Sequence, residues 1–161
     1  MLIMNQQNKF MIEALKQAKK SLLNNDVPVG CVIVFKGKII ARAYNRRKKD
    51  NSTIRHCEII AIEKACKKMG DWRLEGCSMY VTLEPCPMCA GAILQSRMSE
   101  LFVGTMNPKA GCCGSLMNIL NDDRFNHKVI VKTGIMEKEC SEIITSFFKN
   151  LRKHEKRNYI I

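Results

Sequence analysis

Metal-binding side chains are the part of this chain whose types and spacing suit catalysis. His-Cys-Glu at 56–58 is followed, after 26 intervening residues, by Pro-Cys-Pro-Met-Cys at 85–89. One imidazole and two thiols offer ligands that suit zinc better than magnesium or calcium. Structural zinc usually takes four protein ligands, whereas three leave a position for water, which is the arrangement of catalytic zinc. The spacing therefore predicts a zinc site held by His56, Cys86 and Cys89.

Glu58 is the carboxylate nearest to this predicted site in sequence. It lies two residues after His56, so it can reach a water at the open position and is poorly explained as a fourth ligand. Zinc lowers the pKa of a bound water from about 15.7 to near 7, and a neighbouring carboxylate can then shuttle the proton. We therefore predict that Glu58 is the catalytic residue.

The cysteine pair and the histidine both fall at the starts of predicted helices. Cys86 and Cys89 are three residues apart, so they share one helical face and can point at one ion. A helix N-terminus carries partial positive charge, which favours thiolate over thiol. A Cys-x-x-Cys pair alone would also suit a redox motif or a zinc ribbon. Together, H-x-E and P-C-x-x-C are identified as the signature of zinc-dependent deaminases.

Hydrophobic periodicity divides the chain into helices and strands. Predicted helices cover residues 5–24, 56–69, 86–97 and 138–157, with a short one at 115–120; predicted strands form a hairpin over 29–45 and continue at 78–83, 101–105 and 128–133. Pro and Gly content makes 107–114 a loop. This order predicts a mixed sheet with helices on both faces and a ligand site at the carboxyl ends of the strands.

Size and composition indicate one globular domain over residues 1–161. Hydrophobic residues make up 46% of the chain and charged residues 26%, and no apolar run approaches the roughly 20 residues that span a bilayer. The first residues lack a long apolar core and a cleavage site, so a cytoplasmic enzyme without membrane partners is predicted. Nine cysteines are present, and the seven outside the metal pair are expected to be reduced, buried side chains.

Positive charge is in excess. Lys and Arg number 27 against 15 acidic residues, a formal net charge of +12. Such an excess favours a polyanion, and nucleic acid fits this chain better than a membrane, although plain solubility would also account for it. The run Arg-Arg-Lys-Lys at 46–49 is predicted to be a polar loop at the mouth of the site, either solvated or facing an anion. The last predicted helix, 138–157, also ends in a basic segment. Its apolar face is predicted to pack on the sheet; that face consists of Cys140, Ile143, Ile144, Phe147, Phe148 and Leu151.

Beyond the metal motif, the chain resembles bacterial tRNA-specific adenosine deaminases over roughly residues 10–153. The stretches that carry the resemblance are VPVG at 27–30, AYNR at 43–46, DWRLEG at 71–76, YVTLEPCPMCAGAI at 80–93, GSLMNIL at 114–120, FNH at 125–127 and FFKNLR at 147–152. The metal motif belongs to the whole cytidine and deoxycytidylate deaminase superfamily. The GSLMN, FNH and FFKNLR stretches are narrower and point to a tRNA substrate.

This resemblance implies a three-layer α/β/α cytidine-deaminase-like fold with a central five-stranded mixed sheet and helices on both faces. It also implies a homodimer with one zinc per subunit, held by His56, Cys86 and Cys89. The implied reaction is hydrolytic deamination of adenosine to inosine at wobble position 34 of a tRNA anticodon stem-loop, in an arginine tRNA. In that reaction a zinc-activated water attacks C6 of adenine, and Glu58 carries its proton to N1 and the leaving ammonia.

Four further residues are implied to contact the substrate. Asn45 matches an asparagine that contacts the flipped nucleoside, and Asn126 and Phe147 match positions near the flanking nucleotides, although a Phe-Phe pair on an amphipathic helix also suits a core. Asn107 stands where the family commonly has aspartate. Aspartate or asparagine can accept a hydrogen bond from a ribose 2′-OH, but asparagine lacks the charge that strengthens this bond. Weaker discrimination of RNA from DNA is therefore expected.

Arg55 and Cys57 also depart from the family pattern, which has smaller residues beside the histidine. Arg55 changes the local pocket wall, and Cys57 is either a packing change or an extra metal ligand. Two other functions remain open. A zinc-dependent deaminase of a free nucleobase or nucleoside, of cytosine or guanine type, would share the metal and Glu58. A non-catalytic zinc module would instead recruit Cys57, Cys66 or Cys112 as a fourth ligand.

Overall fold

A computed structural model describes the backbone of residues 2–158. The helices are α1 (Leu2–Ser21), α2 (Arg47–Asp50), α3 (Cys57–Met69), α4 (Pro87–Gln95) and α5 (Glu137–Asn158), and the strands are β1 (Gly30–Phe35), β2 (Lys38–Tyr44), β3 (Cys77–Leu83), β4 (Glu100–Thr105) and β5 (Ile130–Thr133). Short 3-10 turns follow α1 and β4, at Leu22–Asn24 and Ile119–Asn121. No helix within residues 2–158 is both long and apolar enough to cross a membrane.

The five strands form one mixed sheet in the order β2-β1-β3-β4-β5. β1 pairs antiparallel with β2 and with β3, whereas β3, β4 and β5 run parallel. The predicted hairpin and the mixed sheet are therefore confirmed. Parallel neighbours need crossover connections, and α4 makes the one between β3 and β4.

Alternation of side chains along the strands separates two apolar layers. Cys31 and Ile33 of β1 pack in the cluster that includes residues of α3 and α4. Val32 and Val34 face the other way and pack with residues of α1 and α5, such as Phe10 and Cys140. The sheet therefore lies between two helical layers, which confirms the predicted three-layer architecture.

Gly30, at the start of β1, lets α1 approach the sheet closely. A Cβ atom at this position would lie 2.3 Å from both the carbonyl oxygen of Ala14 and the amide nitrogen of Ala18. Backbone atoms occupy that space, so any larger residue would push the helix away from the sheet.

One edge of the sheet collects the segments that form the site. β2, β3 and β4 all end at this edge, and β1 begins there because it runs antiparallel to its neighbours. The residues just after these strands are Asn45, Glu84 and Met106, and α3 and α4 begin nearby at 57 and 87. This is the predicted site location at the carboxyl ends of strands.

Two local predictions were wrong. Residues 46–49 are not a loop: Arg47–Asp50 form the short helix α2, because Asp26 accepts hydrogen bonds from the backbone N–H groups of Lys48 (2.9 Å) and Lys49 (3.3 Å). Residues 115–120 do not form a helix. A β-bridge between Cys113 and Asn118 holds this segment extended, and only the 3-10 turn follows it.

The C-terminal helix packs on the sheet only along its first half. Cys140 is fully buried, whereas Phe148 and Leu151 are 38% and 37% exposed. The prediction that the whole apolar face lies on the sheet was therefore wrong. A 22-residue helix is about 33 Å long, and the second half of α5 runs past the sheet edge, over the site.

Candidate active site and metal centre

The structure brings the three predicted ligands together. The Sγ atoms of Cys86 and Cys89 lie 3.7 and 3.5 Å from Nδ1 of His56. A tetrahedral zinc ion with its usual bond lengths would place a sulfur and a nitrogen ligand roughly 3.6 Å apart. Among the residues that the structure describes, these three form the one group of His, Cys, Asp or Glu side chains close enough to hold an ion. The site therefore fits zinc with three protein ligands.

Helix starts hold the ligands in place. His56 and Cys86 are the N-cap residues of α3 and α4, in extended conformations, and Cys89 lies in the first turn of α4. Pro87 is favoured there because the missing N–H of a first-turn proline needs no partner. Both helix dipoles thus direct positive charge at the sulfur atoms.

The thiols of Cys86 and Cys89 influence each other's pKa. Hydrogen bonds from Cys89 and His56 lower the pKa of Cys86 to about 4, although burial opposes the shift. The same contact with Cys86, together with burial, raises the pKa of Cys89. Zinc binds the thiolate form of cysteine, so the lowered pKa of Cys86 suits a metal ligand.

Glu58 lies next to the ligands in the first turn of α3. Its side chain is only 3% exposed, and burial raises the pKa of its carboxyl. The thiol of Cys57 donates to its Oε2 at 3.3 Å. A buried carboxylate with few hydrogen-bond donors accepts a proton more readily than a solvated one, which suits a proton carrier.

A pocket of about 590 Å³ opens above His56 and Glu58. The ends of the strands, the segment after β4 and the overhanging half of α5 supply its walls. The lining residues are Val27, Val29, Asn45, Arg47, His56, Glu58, Leu83, Glu84, Cys86, Met106, Asn107, Pro108, Lys109, Ala110, Ile144, Thr145, Phe148 and Arg152. Its volume is in the range of small-molecule sites.

Asn45 is held rigidly at the wall of this pocket. It is 6% exposed, and its Oδ1 accepts a hydrogen bond from the backbone N–H of Cys57 at 2.9 Å. Its amide nitrogen has no partner among the described residues and is not sealed from solvent. The side chain therefore presents N–H donors to a ligand beside Glu58.

Asn107 also lines the pocket, on the segment after β4. Its Oδ1 accepts from the backbone N–H of Lys109 at 3.3 Å, and its own backbone N–H donates to Oε2 of Glu84 at 2.8 Å. Sequence reasoning gave Glu84 no role. Its place between β3 and the Cys86 ligand could have singled it out, but its partners lie 23 to 31 residues further along the chain.

Two of the residues predicted to contact the substrate, Asn126 and Phe147, do not line the pocket of the single chain. Oδ1 of Asn126 accepts from Arg97 at 2.8 Å, at the far end of α4 from the cysteine ligands. Phe147 lines two neighbouring grooves, whereas Phe148 lines the pocket. Phe148 was treated in sequence as a core residue, because helical periodicity alone does not say where the sheet beneath a helix ends.

Arg55 and Cys57, the two residues beside His56 that depart from the family pattern, are not among the metal-binding residues. Arg55 does not line the pocket; it forms ion pairs with Asp50 and with Glu63, both at 3.0 Å. Cys57 is fully buried, and the group that could hold an ion does not include it. Neither Cys66 nor Cys112 belongs to that group within the described part of the chain, so the four-ligand arrangement of a structural zinc module is not formed.

Cations stand at the pocket mouth without acidic partners. Arg47, Lys109 and Arg152 line the pocket, and none of them forms an ion pair with a described residue. By contrast, Arg46 is paired with Asp50 at 2.8 Å. The mouth is therefore suited to a ligand that carries negative charge outside the pocket.

Comparisons with known proteins agree with this chemistry. The family model of the cytidine and deoxycytidylate deaminase zinc-binding region matches residues 4–105. The tRNA-specific adenosine deaminase of Bacillus subtilis is 49% identical over 153 residues, which are 95% of each chain. A solved structure from work on A-to-I editing by tRNA:A34 deaminases at the wobble position of transfer RNA is 39% identical, with a TM-score of 0.81, over 84% of this chain and 98% of that one.

A second solved structure gives a partial match. Guanine deaminase from Bacillus subtilis is 37% identical, with a TM-score of 0.58, over 61% of this chain and 63% of its own. The tRNA-specific adenosine deaminase of Bacillus subtilis, by contrast, matches almost end to end, over 95% of this chain. The chain therefore belongs to the cytidine and deoxycytidylate deaminase family and, within it, to the tRNA-specific adenosine deaminases.

Proposed function

We propose that this protein hydrolyses adenosine to inosine and ammonia at wobble position 34 of a tRNA anticodon, in an arginine tRNA. The observation that carries the proposal is the placement of Glu58 and a three-ligand metal site at the base of a pocket whose mouth is cationic. Near end-to-end similarity to tRNA-specific adenosine deaminases supports the choice of substrate. The arginine tRNA is inferred from the family resemblance.

Zinc, when bound by His56, Cys86 and Cys89, supplies a water that is acidic enough to act as a nucleophile near neutral pH. Glu58 is the residue of this chain that moves protons. Its raised pKa and its position in the pocket suit it to accept a proton as water adds to C6 of adenine. Glu58 delivers this first proton to N1. It then passes the second proton, from the hydroxyl now on C6, to the amino group, so that the C6–N bond breaks, the keto group forms and ammonia leaves.

Recognition of a flipped nucleotide is proposed for the pocket walls. Adenosine inside an anticodon must leave its stack before its C6 can be reached. The free N–H groups of Asn45 suit contacts with the nucleoside, and Asn107 suits a ribose hydroxyl. We retain Asn126 and Phe147 as proposed contacts for nucleotides outside the pocket. The unpaired cations at the mouth suit the flanking phosphates.

A homodimer acting in the cytoplasm is also proposed. Three large apolar side chains near the site face solvent in the single chain: Ile54 is 52% exposed, Leu116 59% and Met117 53%. Clusters of exposed apolar residues commonly mark interfaces. All nine cysteines are free thiols, which suits a reducing compartment.

The test is inosine formation on an anticodon stem-loop with adenosine at position 34, beside cytosine, guanine, free adenosine and stem-loops from other tRNAs. We expect turnover on the arginine stem-loop and its loss in Glu58→Gln with zinc content unchanged. Glu75→Gln is the matched control, because Glu75 is exposed. Turnover confined to a free base would refute the tRNA substrate while leaving the metal chemistry intact.

Deamination of a free nucleobase is the second candidate, favoured by the partial match to guanine deaminase. Salt separates the two functions. Binding through phosphates weakens steeply as salt rises. A protein with about six to ten phosphate contacts loses about 10³–10⁵-fold in affinity between 50 and 200 mM salt. A free base lacks phosphates, so its KM should hardly change. Because Arg47, Lys109 and Arg152 form no ion pair with any residue that the structure describes, we expect the steep dependence.

A further inference from the structure

A second buried carboxylate lies beside the metal site and takes no part in the proposed reaction. Glu84 follows β3 and precedes the ligand Cys86 by two residues. Its side chain is 2% exposed, and no lysine or arginine is paired with it among the described residues. Burying an unpaired carboxylate is costly unless hydrogen bonds replace water, so its partners identify its task.

Four donors from one loop surround this carboxylate. Oε1 accepts from the backbone N–H groups of Cys113 at 3.1 Å and Ser115 at 2.9 Å. Oε2 accepts from the backbone N–H of Asn107 at 2.8 Å and from the hydroxyl of Ser115. A carboxylate offers about four acceptor sites. All are used here, which leaves none for a substrate.

The loop is wrapped tightly around Glu84. At Gly111 a Cβ atom would lie 2.1 Å from Oε2 of Glu84, so only glycine permits this approach. The backbone N–H of Gly111 also donates to the carbonyl of Asn107 at 2.8 Å, and that of Cys112 donates to the carbonyl of Pro85 at 2.9 Å. The loop is thus fixed from within by a carboxylate rather than by an apolar core.

The opposite side of the same loop lines the pocket. Asn107, Pro108, Lys109 and Ala110 all face the space above His56 and Glu58. Asn107 takes part on both sides of the loop: it lines the pocket, and its backbone N–H donates to Glu84. The position of the Asn107 side chain relative to Glu58 therefore depends on the bond that its own backbone makes to Glu84.

We propose that Glu84 is a positioning residue, which sets the 106–115 loop so that Asn107 meets the nucleoside in the pocket. The expected effect on KM rests on the proposed function, whereas the expected effect on the conformation of the loop does not. Glutamine at position 84 has nearly the same shape, yet its NH₂ group would face N–H donors instead of accepting from them. Half of the contacts would be lost or made repulsive.

The kinetic test compares Glu84→Gln with the wild type on the anticodon stem-loop. We expect KM to rise about fivefold to tenfold, the upper range for one hydrogen bond between neutral groups, and kcat to change by less than about threefold, because the lost contact serves binding. A merely destabilised enzyme would lower the concentration of active sites and leave KM unchanged. Glu75→Gln is the control for loss of charge, and zinc content is measured in each variant.

A double-mutant cycle tests whether Glu84 acts through Asn107. Asn107→Ala alone should raise KM, and adding Glu84→Gln to it should raise KM by less than about threefold further, because coupled residues are non-additive. Independent, multiplicative effects on KM would overturn the proposal. So would an unchanged KM in Glu84→Gln.

Hydrogen exchange gives a measurement that needs no substrate. We expect the amides of Asn107, Cys113 and Ser115 to exchange at least about tenfold faster in Glu84→Gln, because the loop opens more often when these donors lose their acceptor. Unchanged exchange in the loop would refute the positioning role. If Glu84→Gln does not fold, Ser115→Ala removes one donor and applies both tests. If the wild type fails on the stem-loop, the proposed function fails and exchange still decides the role of Glu84.

Discussion

Two glutamates that line one pocket have the same chemistry and opposite surroundings. Glu58 and Glu84 are 3% and 2% exposed, and each lies two residues from a metal ligand. Burial raises the pKa of Glu58, and the Cys57 thiol and the backbone N–H of Glu58 itself are too few donors to offset it. Burial also acts to raise the pKa of Glu84, but the hydroxyl of Ser115 and three backbone N–H groups outweigh it and lower that pKa.

This contrast shows that burial alone does not tell a chemical carboxylate from a structural one. Hydrogen-bond donors decide between them, because donors stabilise the charged form and immobilise it. Glu58 keeps lone pairs free to accept a proton, as the proposed reaction requires, whereas Glu84 uses all of its lone pairs for three backbone N–H groups and one hydroxyl. A search for catalytic carboxylates should therefore count donors as well as exposure.

Glu58→Gln should have the largest effect on turnover. Loss of a general acid–base group costs about 10²–10⁴-fold in rate, and we expect a loss near the upper end because Glu58 moves every proton. The free energy of unfolding should stay the same or increase, because few donors stabilise this buried carboxylate. Single-turnover deamination and denaturant unfolding measure the two quantities. A large loss of stability in Glu58→Gln would erase the contrast with Glu84.

Glu84→Gln should have the largest effect on stability. Removal of acceptors from buried N–H groups leaves those groups unsatisfied, at about 1–3 kcal/mol. We therefore expect the free energy of unfolding, measured by urea denaturation at saturating zinc, to fall by about 2 kcal/mol. Glu75→Gln should leave the unfolding midpoint unchanged. An equal midpoint in Glu84→Gln and wild type would mean that the four contacts hold nothing in place.

Ser115→Ala should have a smaller effect of the same kind. The change removes the hydroxyl donor to Glu84 and keeps the backbone N–H of Ser115. One hydrogen bond contributes about 1 kcal/mol, so roughly half of the stability loss in Glu84→Gln is expected. Urea midpoints of the two variants and of the double variant give the coupling. Full additivity would show that Ser115 and Glu84 act separately.

Asp50→Asn should have the smallest effect on stability, and this effect should be present at neutral pH and absent in acid. Hydrogen bonds from Arg46 and Arg55 hold its pKa below the ordinary value of 3.8. Its contribution to stability is therefore fully present above pH 3.8 and is lost as the pH falls through the folded-state pKa. Asp50→Asn should melt slightly below the wild type at pH 7, and the gap should close in acid. A gap that widens in acid would contradict the depressed pKa.

Much of the site follows from local sequence. His56, Glu58, Cys86 and Cys89 were predicted from type and spacing, and the structure places the ligands at helix starts within reach of one ion. Residues 46–49 and 115–120 were predicted wrongly, because distant partners determine their conformation. Asp26 organises α2 from 22 residues away, and Glu84 accepts a hydrogen bond from the backbone N–H of Ser115 across 31 residues.

The sequence by itself determined the metal site and the order of helices and strands along the chain, and it singled out Glu58 as the proposed proton carrier. These follow from ligand chemistry and from hydrophobic periodicity, which are properties of short segments. Only the tertiary structure decided that Glu84 holds the 106–115 loop, that Phe148 rather than Phe147 lines the pocket, and that Asn126 lies at the far end of α4. The physical reason is that hydrogen-bond donors and the limits of the sheet come from segments far apart in the chain.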